Sequence, residues 1–392
     1  MLRSLFSGIS GLRSHQTMLD VTGNNIANVN TTGFKSSQTQ FQDTLSQVLQ
    51  NAGGAQEGTG GTNPAQVGLG VRVAGITTNF TQGASQITGR STDMMIQGDG
   101  FFVVRKGTET FYTRAGSFDF DATGQMVLPG EGALVQGWAA VNGVVDTNGP
   151  LTDLRVPAGS IMPAVATTSA TYEGNLDADA AVGTVLERTV DVFDQTGNKR
   201  ELALTFTKSA TGWSLTAGDG TATTAAMPLT FAADGSLTTP TTLTVGGVAV
   251  DIHALSGFAG LDTVKAKTQD GQAAGTLQSF ALGADGTITG SFSNGLKQTI
   301  GRLALGSFTN PSGLEKAGGS LFSTSVNSGD AQVGAAGTGG RGSLAGGALE
   351  MSNVDLSSEF TSLIVAQRGF QANSRVITTS DEVLQELVNL KR

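Results

Sequence analysis

The chain has no cysteine, so neither a disulfide framework nor a thiolate metal site can hold it, and its fold is indifferent to the redox state of its compartment. Charge is scarce as well. Asp, Glu, Lys and Arg make up 14% of the 392 residues, where about 25% is usual. The balance is acidic, with 23 basic against 32 acidic residues and a formal net charge of −9. No run of Lys or Arg could follow a phosphate backbone, so no nucleic-acid partner is expected. There are only two histidines, His15 and His253, too far apart in the chain to suggest a triad or a metal site. Neither a Gly-x-Ser-x-Gly nor a phosphate-loop pattern occurs. No segment is apolar enough to span a bilayer, which argues against membrane insertion. The N-terminal stretch MLRSLFSGISGLRSHQ lacks the apolar core and small-residue cleavage site of a signal peptide. Together these absences argue against an enzyme, and no cofactor or metal is expected.

The sequence does hold two helical segments of matching period, one at each end. Leu356, Leu363, Phe370, Ile377 and Leu384 recur at every seventh position between Ser352 and Leu390, which is a heptad seam. Leu5, Leu12, Leu19 and Ile26 repeat the spacing in the first thirty residues. At 1.5 Å per residue these helices would run to about 55 Å and 40 Å. The intermediate seam positions of the second include Gln367, Ser374 and Asp381, so the pair buries too little apolar surface to hold itself firmly. The two ends are therefore expected to pair as a coiled coil, to be loose in the monomer, and to order on assembly with further copies.

Between them the period changes. In the stretch GNNIANVNTTGFK, residues 23–35, Gly33 reads as a helix stop, while Asn24, Asn25 and Asn28 suit either a cap or an interface between helices. A second, weaker helix is expected from Gln38 to Leu49, with Phe41, Leu45, Val48 and Leu49 on one side. A flexible loop is expected over Asn51–Gln66. From Val67 the pattern is strand-like, with Phe101–Val104, Met126–Leu128 and Leu134–Trp138 as short apolar pieces. Asp-Gly and Asn-Gly dipeptides punctuate residues 99–295 and favour hairpin turns. A boundary marked by Pro150, Pro157 and Pro163 opens a Thr- and Ala-rich segment. In it Leu202, Leu204 and Phe206 alternate with polar residues, and the turn Asp194–Asn198 joins that strand back to Thr189–Phe193. Strands resume near Thr276, and a Gly-rich stretch, Gly334–Gly347, leads back to the last helix.

The expected fold is α+β and mainly β, with two nested antiparallel β domains between the paired terminal helices. Its parts are a terminal helical domain (1–35 and 348–392), a linker (36–66), a first β domain (67–149 and 272–347, including the Gly-rich return) and an inserted outer domain (150–271). Chemistry-bearing motifs are poor. Gly337, Gly339 and Gly342 spell Gly-x-Gly-x-x-Gly without a surrounding βαβ unit and read as linker. Asp119–Gly124 begins like a calcium loop but lacks the later acidic ligand. Asp177 and Asp179 read as a solvated loop, and Trp138, Trp213, Tyr112 and Tyr172 are too dispersed for a stacking platform.

The stretch Leu19–Lys35 resembles the N-terminal motif of the flagellar rod and hook family, and Gly347–Asp355, Ile364–Arg368 and Val388–Leu390 resemble its C-terminal motif. Val67–Ile76, Gly98–Phe102 and Tyr112–Phe118 resemble its first β domain. The motif residues are Asn24, Asn25, Ile26, Ala27, Asn28, Gly33, Phe34, Asn353, Val354 and Asp355. The resemblance implies an axial subunit of the bacterial flagellum, extracellular, exported unfolded through the flagellar type III apparatus with an uncleaved N-terminus. It also implies a hollow helical homopolymer whose channel is lined by the terminal helices, and a mechanical role. The insertion at 150–271 argues for the hook side of the family, whose tube is a curved, flexible joint passing motor torque to the filament. Implied partners are further copies of the chain, the distal rod protein, the hook cap and the hook–filament junction proteins. Residues 38–66 are longer than in short hook proteins and similar to distal-rod relatives, whose tube is straight and stiff, so a distal-rod-like subunit is the alternative.

Overall fold

The computed structural model describes residues 2–54, 57–58, 60–156 and 159–390; Pro157 of the expected boundary lies outside them. Two α-helices, α1 (Leu2–Ala27) and α2 (Leu356–Asn389), bracket a chain that is otherwise mainly strand. It divides into two units. One comprises Met1–Pro157, Ala281–Thr289 and Thr299–Arg392; the other comprises Ala158–Phe280 and Gly290–Gln298.

In the first unit the run Phe101–Val104 is buried on both faces, as a central strand should be. The strand Phe101–Lys106 pairs with Glu109–Thr113 on one side and Ala133–Val141 on the other. Glu109–Thr113 pairs onward with Leu321–Ser323, which forms a hairpin with Glu315–Gly318. Phe101, Phe308 and Phe322, with Phe80, meet edge to face with ring centroids 5.3–5.9 Å apart, a geometry that favours aromatic pairs.

Residues 38–49, expected as helix, are strand. Ser37–Asp43 pairs antiparallel with Val71–Thr78, and Ser46–Gln50 pairs with Ala65–Gly68. The three-to-four spacing of Phe41, Leu45 and Val48 coexists there with an alternation of Gln38, Gln40 and Gln42 against Thr39 and Phe41. Cross-strand pairing decided between the two periods. The Gly-rich return also contains structure. Gln332–Ala335 and Ser343–Gly346 are strands, the latter paired with Met94–Gln97. A Cβ on Gly342 would strike the Gln97 backbone, so glycine there serves close approach rather than flexibility.

The second unit holds two sheets. Val185–Phe193, Lys199–Ser209, Gly212–Gly218, Met227–Phe231 and Leu237–Thr239 form an antiparallel meander. Leu202, Leu204 and Phe206 face its core. Asp194 closes the first hairpin by accepting from the backbone N–H groups of Thr196 and Asn198 at 2.8 and 2.9 Å. The other sheet orders Thr242–Val245, Val248–Ser256, Ser169–Asn175 and Lys265–Gln269. Here the expectation of purely antiparallel β needs correction, because Ser169–Asn175 and Val248–Ser256 run parallel. Parallel neighbours need a long crossover, and residues 176–247, which contain the whole meander, supply it.

Candidate assembly surface and its anchor

Helix α1 packs antiparallel on α2 through small residues. A Cβ on Gly8 would touch Ile377, one on Gly11 would overlap Asn373, and one on Gly369 would overlap His15. Ala366 has no exposed surface. Backbones come this close only where side chains are absent or small. Of the apolar rows, Ile377 takes part in this contact, against Gly8. Leu5, Leu12, Leu19 and Ile26 on α1, and Leu363, Ile377 and Leu384 on α2, are half-buried, while Leu356 and Phe370 are exposed. Beside them Phe6, Phe360, Ile364, Val365 and Val388 are also exposed, Phe6 to 67% and Val388 to 68%. Apolar side chains exposed along both helices suit an interaction surface. No helix among the described residues is long and apolar enough to cross a membrane.

The ends of the two helices are anchored by the motif residues. Asn25, 1% exposed, donates to the Ser37 carbonyl at 2.8 Å and to Glu359 Oε1 at 3.0 Å, and accepts from the Ser37 N–H at 3.0 Å. It therefore ties α1 to the first strand and to α2. Burial pushes the Glu359 carboxyl up; the Asn25 bond opposes that and the nearby Asp355 charge adds to it. Asn24 and Asn28 cap instead: Asn28 donates to the Asn24 carbonyl at 2.9 Å and to its side-chain oxygen at 2.7 Å. Ile26 is half-buried and Ala27 exposed at the helix end. Gly33 does not stop the helix, which ends at Ala27. It sits at φ +67, where a Cβ would overlap the Ala115 backbone, so its role is close approach in a left-handed conformation. Phe34 lies under the Lys316 ammonium, 5.1 Å from Nζ to ring centroid. Asn353 accepts from the Ser36 N–H and donates to the Asn79 carbonyl, both at 2.8 Å. Val354 is half-buried. Asp355 is the N-cap of α2, accepting from Ser357 N–H at 2.9 Å.

Behind these lies an ion cluster that sequence reasoning missed. Lys35 Nζ reaches Glu350 Oε1 at 2.6 Å, and Arg114 reaches Glu350 Oε2 at 3.3 Å, with side-chain exposures of 0%, 0% and 3% for Lys35, Glu350 and Arg114. Lys35 also donates to the Thr81 carbonyl at 2.8 Å and Arg114 to the Gly98 carbonyl at 2.9 Å, while Glu350 Oε1 accepts from Gly83 N–H at 2.9 Å. Burial pushes both cations' pKa values down, and Glu350 opposes the shift. Each residue lies inside one of the motif stretches quoted above. The available signal was a charge flanked by glycine and apolar residues in all three.

A mainly β body that leaves its terminal helices with exposed apolar rows, and fixes both at one buried ionic anchor, defines a subunit of a larger assembly. Comparison with known proteins specifies which. Family models described as "Flagella basal body rod protein", "Flagellar hook protein FlgE/F/G D1 domain" and "Flagellar basal body rod FlgEFG protein C-terminal" match residues 5–35, 95–176 and 345–390. The flagellar hook protein FlgE of Treponema pallidum is 40% identical over the full length of both chains. The flagellar basal-body rod protein FlgG of Bacillus subtilis is 35% identical, again over the full length of both. The crystal structure of the Helicobacter pylori flagellar hook protein FlgE2 has the same fold, with a TM-score of 0.50 at 15% identity, covering 66% of this chain and 98% of that one. The chain belongs to the flagellar hook protein family, whose members are structural subunits of the bacterial flagellum.

Proposed function

We propose that this chain polymerises into a hollow, curved and flexible helical tube that passes motor torque to the filament. In this reading α1 and α2 form a coiled-coil pair lining the channel, the β units lie outside it, and the outer β unit is nested in the inner one. The seam residues Leu5, Leu12, Leu19, Ile26, Leu356, Leu363, Phe370, Ile377 and Leu384 are its self-assembly contacts. The subunit leaves the cell through the type III export apparatus without cleavage of its N-terminus, and meets the distal rod, hook cap and hook–filament junction proteins at the ends of the tube.

The observation that supports this most directly is the exposed apolar surface of α1 and α2. Single charges at Phe360 and Ile364 test it, since both side chains are already about half in solvent. F360D and I364D are expected to leave the unfolding of the monomer unchanged and to block polymerisation. Polymers of normal length would sink the reading. Electron microscopy separates the hook reading from a distal-rod-like one, which requires a straight tube.

A further inference from the structure

Around the hairpin Glu315–Ser323 the first unit has a hollow of about 340 Å³, bordered on one side by Asn24 of α1. Leu321 and Phe322, both buried, contribute to its lining, together with Phe34 and Lys316. The Lys316 amine donates to Ser37 Oγ at 2.8 Å and to the Lys35 carbonyl at 3.4 Å, and no described carboxylate pairs with it. The hollow thus combines an apolar floor with an uncompensated cation, which fits an apolar side chain accompanied by an acid.

The other end of the same hairpin presents such a pair. Ser325 Oγ donates to the Gly313 carbonyl at 2.6 Å, Ser328 Oγ to the Ser325 carbonyl at 2.8 Å, and Asn310 Nδ2 to the Asn327 carbonyl at 2.9 Å. Ser328 is fully buried by this network, yet Val326 in the middle of the turn is fully exposed. Asp330, also exposed, follows four residues later. The hollow takes in the hairpin's tip, Gly318–Leu321, whereas Val326 stands beyond its base, past the Glu315 and Ser323 pair.

We propose that Val326 of one copy seats in this hollow of a second copy, with Asp330 beside Lys316. The inference rests on the reading of the chain as a self-assembling subunit and adds a contact between β units to those of the helices. Knob and hollow are different surfaces, so the contact is heterologous and runs head to tail, as an open helix wherever its rotation does not close a ring, rather than closing a pair.

Because Val326 is fully exposed in the monomer, V326R is expected to leave urea unfolding unchanged while slowing polymer elongation about tenfold, as loss of a central apolar anchor does. The absence of cysteine permits a direct test. V326C/T31C, with Thr31 on the wall of the hollow, is expected to give a ladder of covalent multimers when assembled polymer is oxidised, and neither single variant should. Normal elongation of V326R, or V326C/T31C polymer that does not cross-link, overturns the contact and leaves self-assembly standing. Failure of the unmodified chain to polymerise overturns both.

Discussion

Glu350→Gln keeps the shape of the side chain at the anchor and removes its charge. Glu350 faces Lys35 at 2.6 Å and Arg114 at 3.3 Å, all but excluded from water. Without the carboxylate's charge, two buried cations keep only neutral acceptors, the Gln amide oxygen and the carbonyls of Thr81 and Gly98. Removing one member of a buried ion pair costs about 3–5 kcal/mol, roughly a hundred- to several-thousand-fold in the folding equilibrium. Lys35 can relieve part of this by losing its proton, since burial already lowers its pKa below 10.5. The sign follows from that direction. A lysine with a depressed folded pKa contributes stability above its unfolded value and loses it as pH falls through the folded value. The E350Q defect should therefore shrink as pH approaches 10. The assay uses the tryptophans, Trp138 in the first unit and Trp213 in the second. In a W213F background, Trp138 fluorescence reports the first unit alone, and its urea midpoint should fall by about 1–3 M. A loss below about 1 kcal/mol at pH 7 would refute the anchor as the source of the junction's stability, given the usual cost of orphaned buried charge.

Other expectations concern separate parts of the molecule. Asn25→Ala strands the Ser37 N–H and carbonyl and should cost about 1–3 kcal/mol in the same Trp138 assay; Asn28→Ala, which loses only a cap, should cost about 1 kcal/mol or less. Gly11→Val places a branched side chain against Asn373 and should reduce helical circular dichroism and polymer yield together, whereas Gly23→Ala, whose Cβ meets nothing within 4 Å, should affect neither. In the second unit, bonds from Thr196 and Asn198 hold the Asp194 carboxyl at about 2. At Asp270, burial pushes upward but is outweighed by bonds from Thr168 and Ser169, which also leave it at about 2. Depressed folded values mean stability present above 3.8 and lost below it; the Trp213 transition should hold from pH 7 to about pH 5 and fall between about pH 4 and pH 2. Replacing residues 51–64 by Asn-Gly, a sequence suited to a two-residue hairpin turn, should preserve assembly and change the curvature or stiffness of the tube in electron micrographs. Failure to assemble would mean that the segment is itself a contact.

The amino-acid sequence by itself determined the existence and type of the terminal helices, the β character of the middle and the family motifs. Each of these is written in local periodicity, or in residue strings that need no partner to be read. What periodicity does not specify is the neighbour. The heptads of α1 and α2 mark apolar faces, but the close contact between the helices formed on Gly8, Gly11, Ala366 and Gly369, with Ile377 of the heptad rows against Gly8, because backbones approach where side chains are smallest. That choice leaves much of the apolar surface in solvent. Residues 38–49 satisfy a helical and a strand pattern at once, and only pairing with residues 65–78 resolves them. The parallel pair of Ser169–Asn175 with Val248–Ser256 depends on a crossover of many residues that no local signal announces. The anchor is the plainest case. Lys35, Arg114 and Glu350 are dispersed along the chain, and a buried charge is tolerable only where its partners converge, so their role became visible only once the tertiary structure placed them within hydrogen-bonding reach.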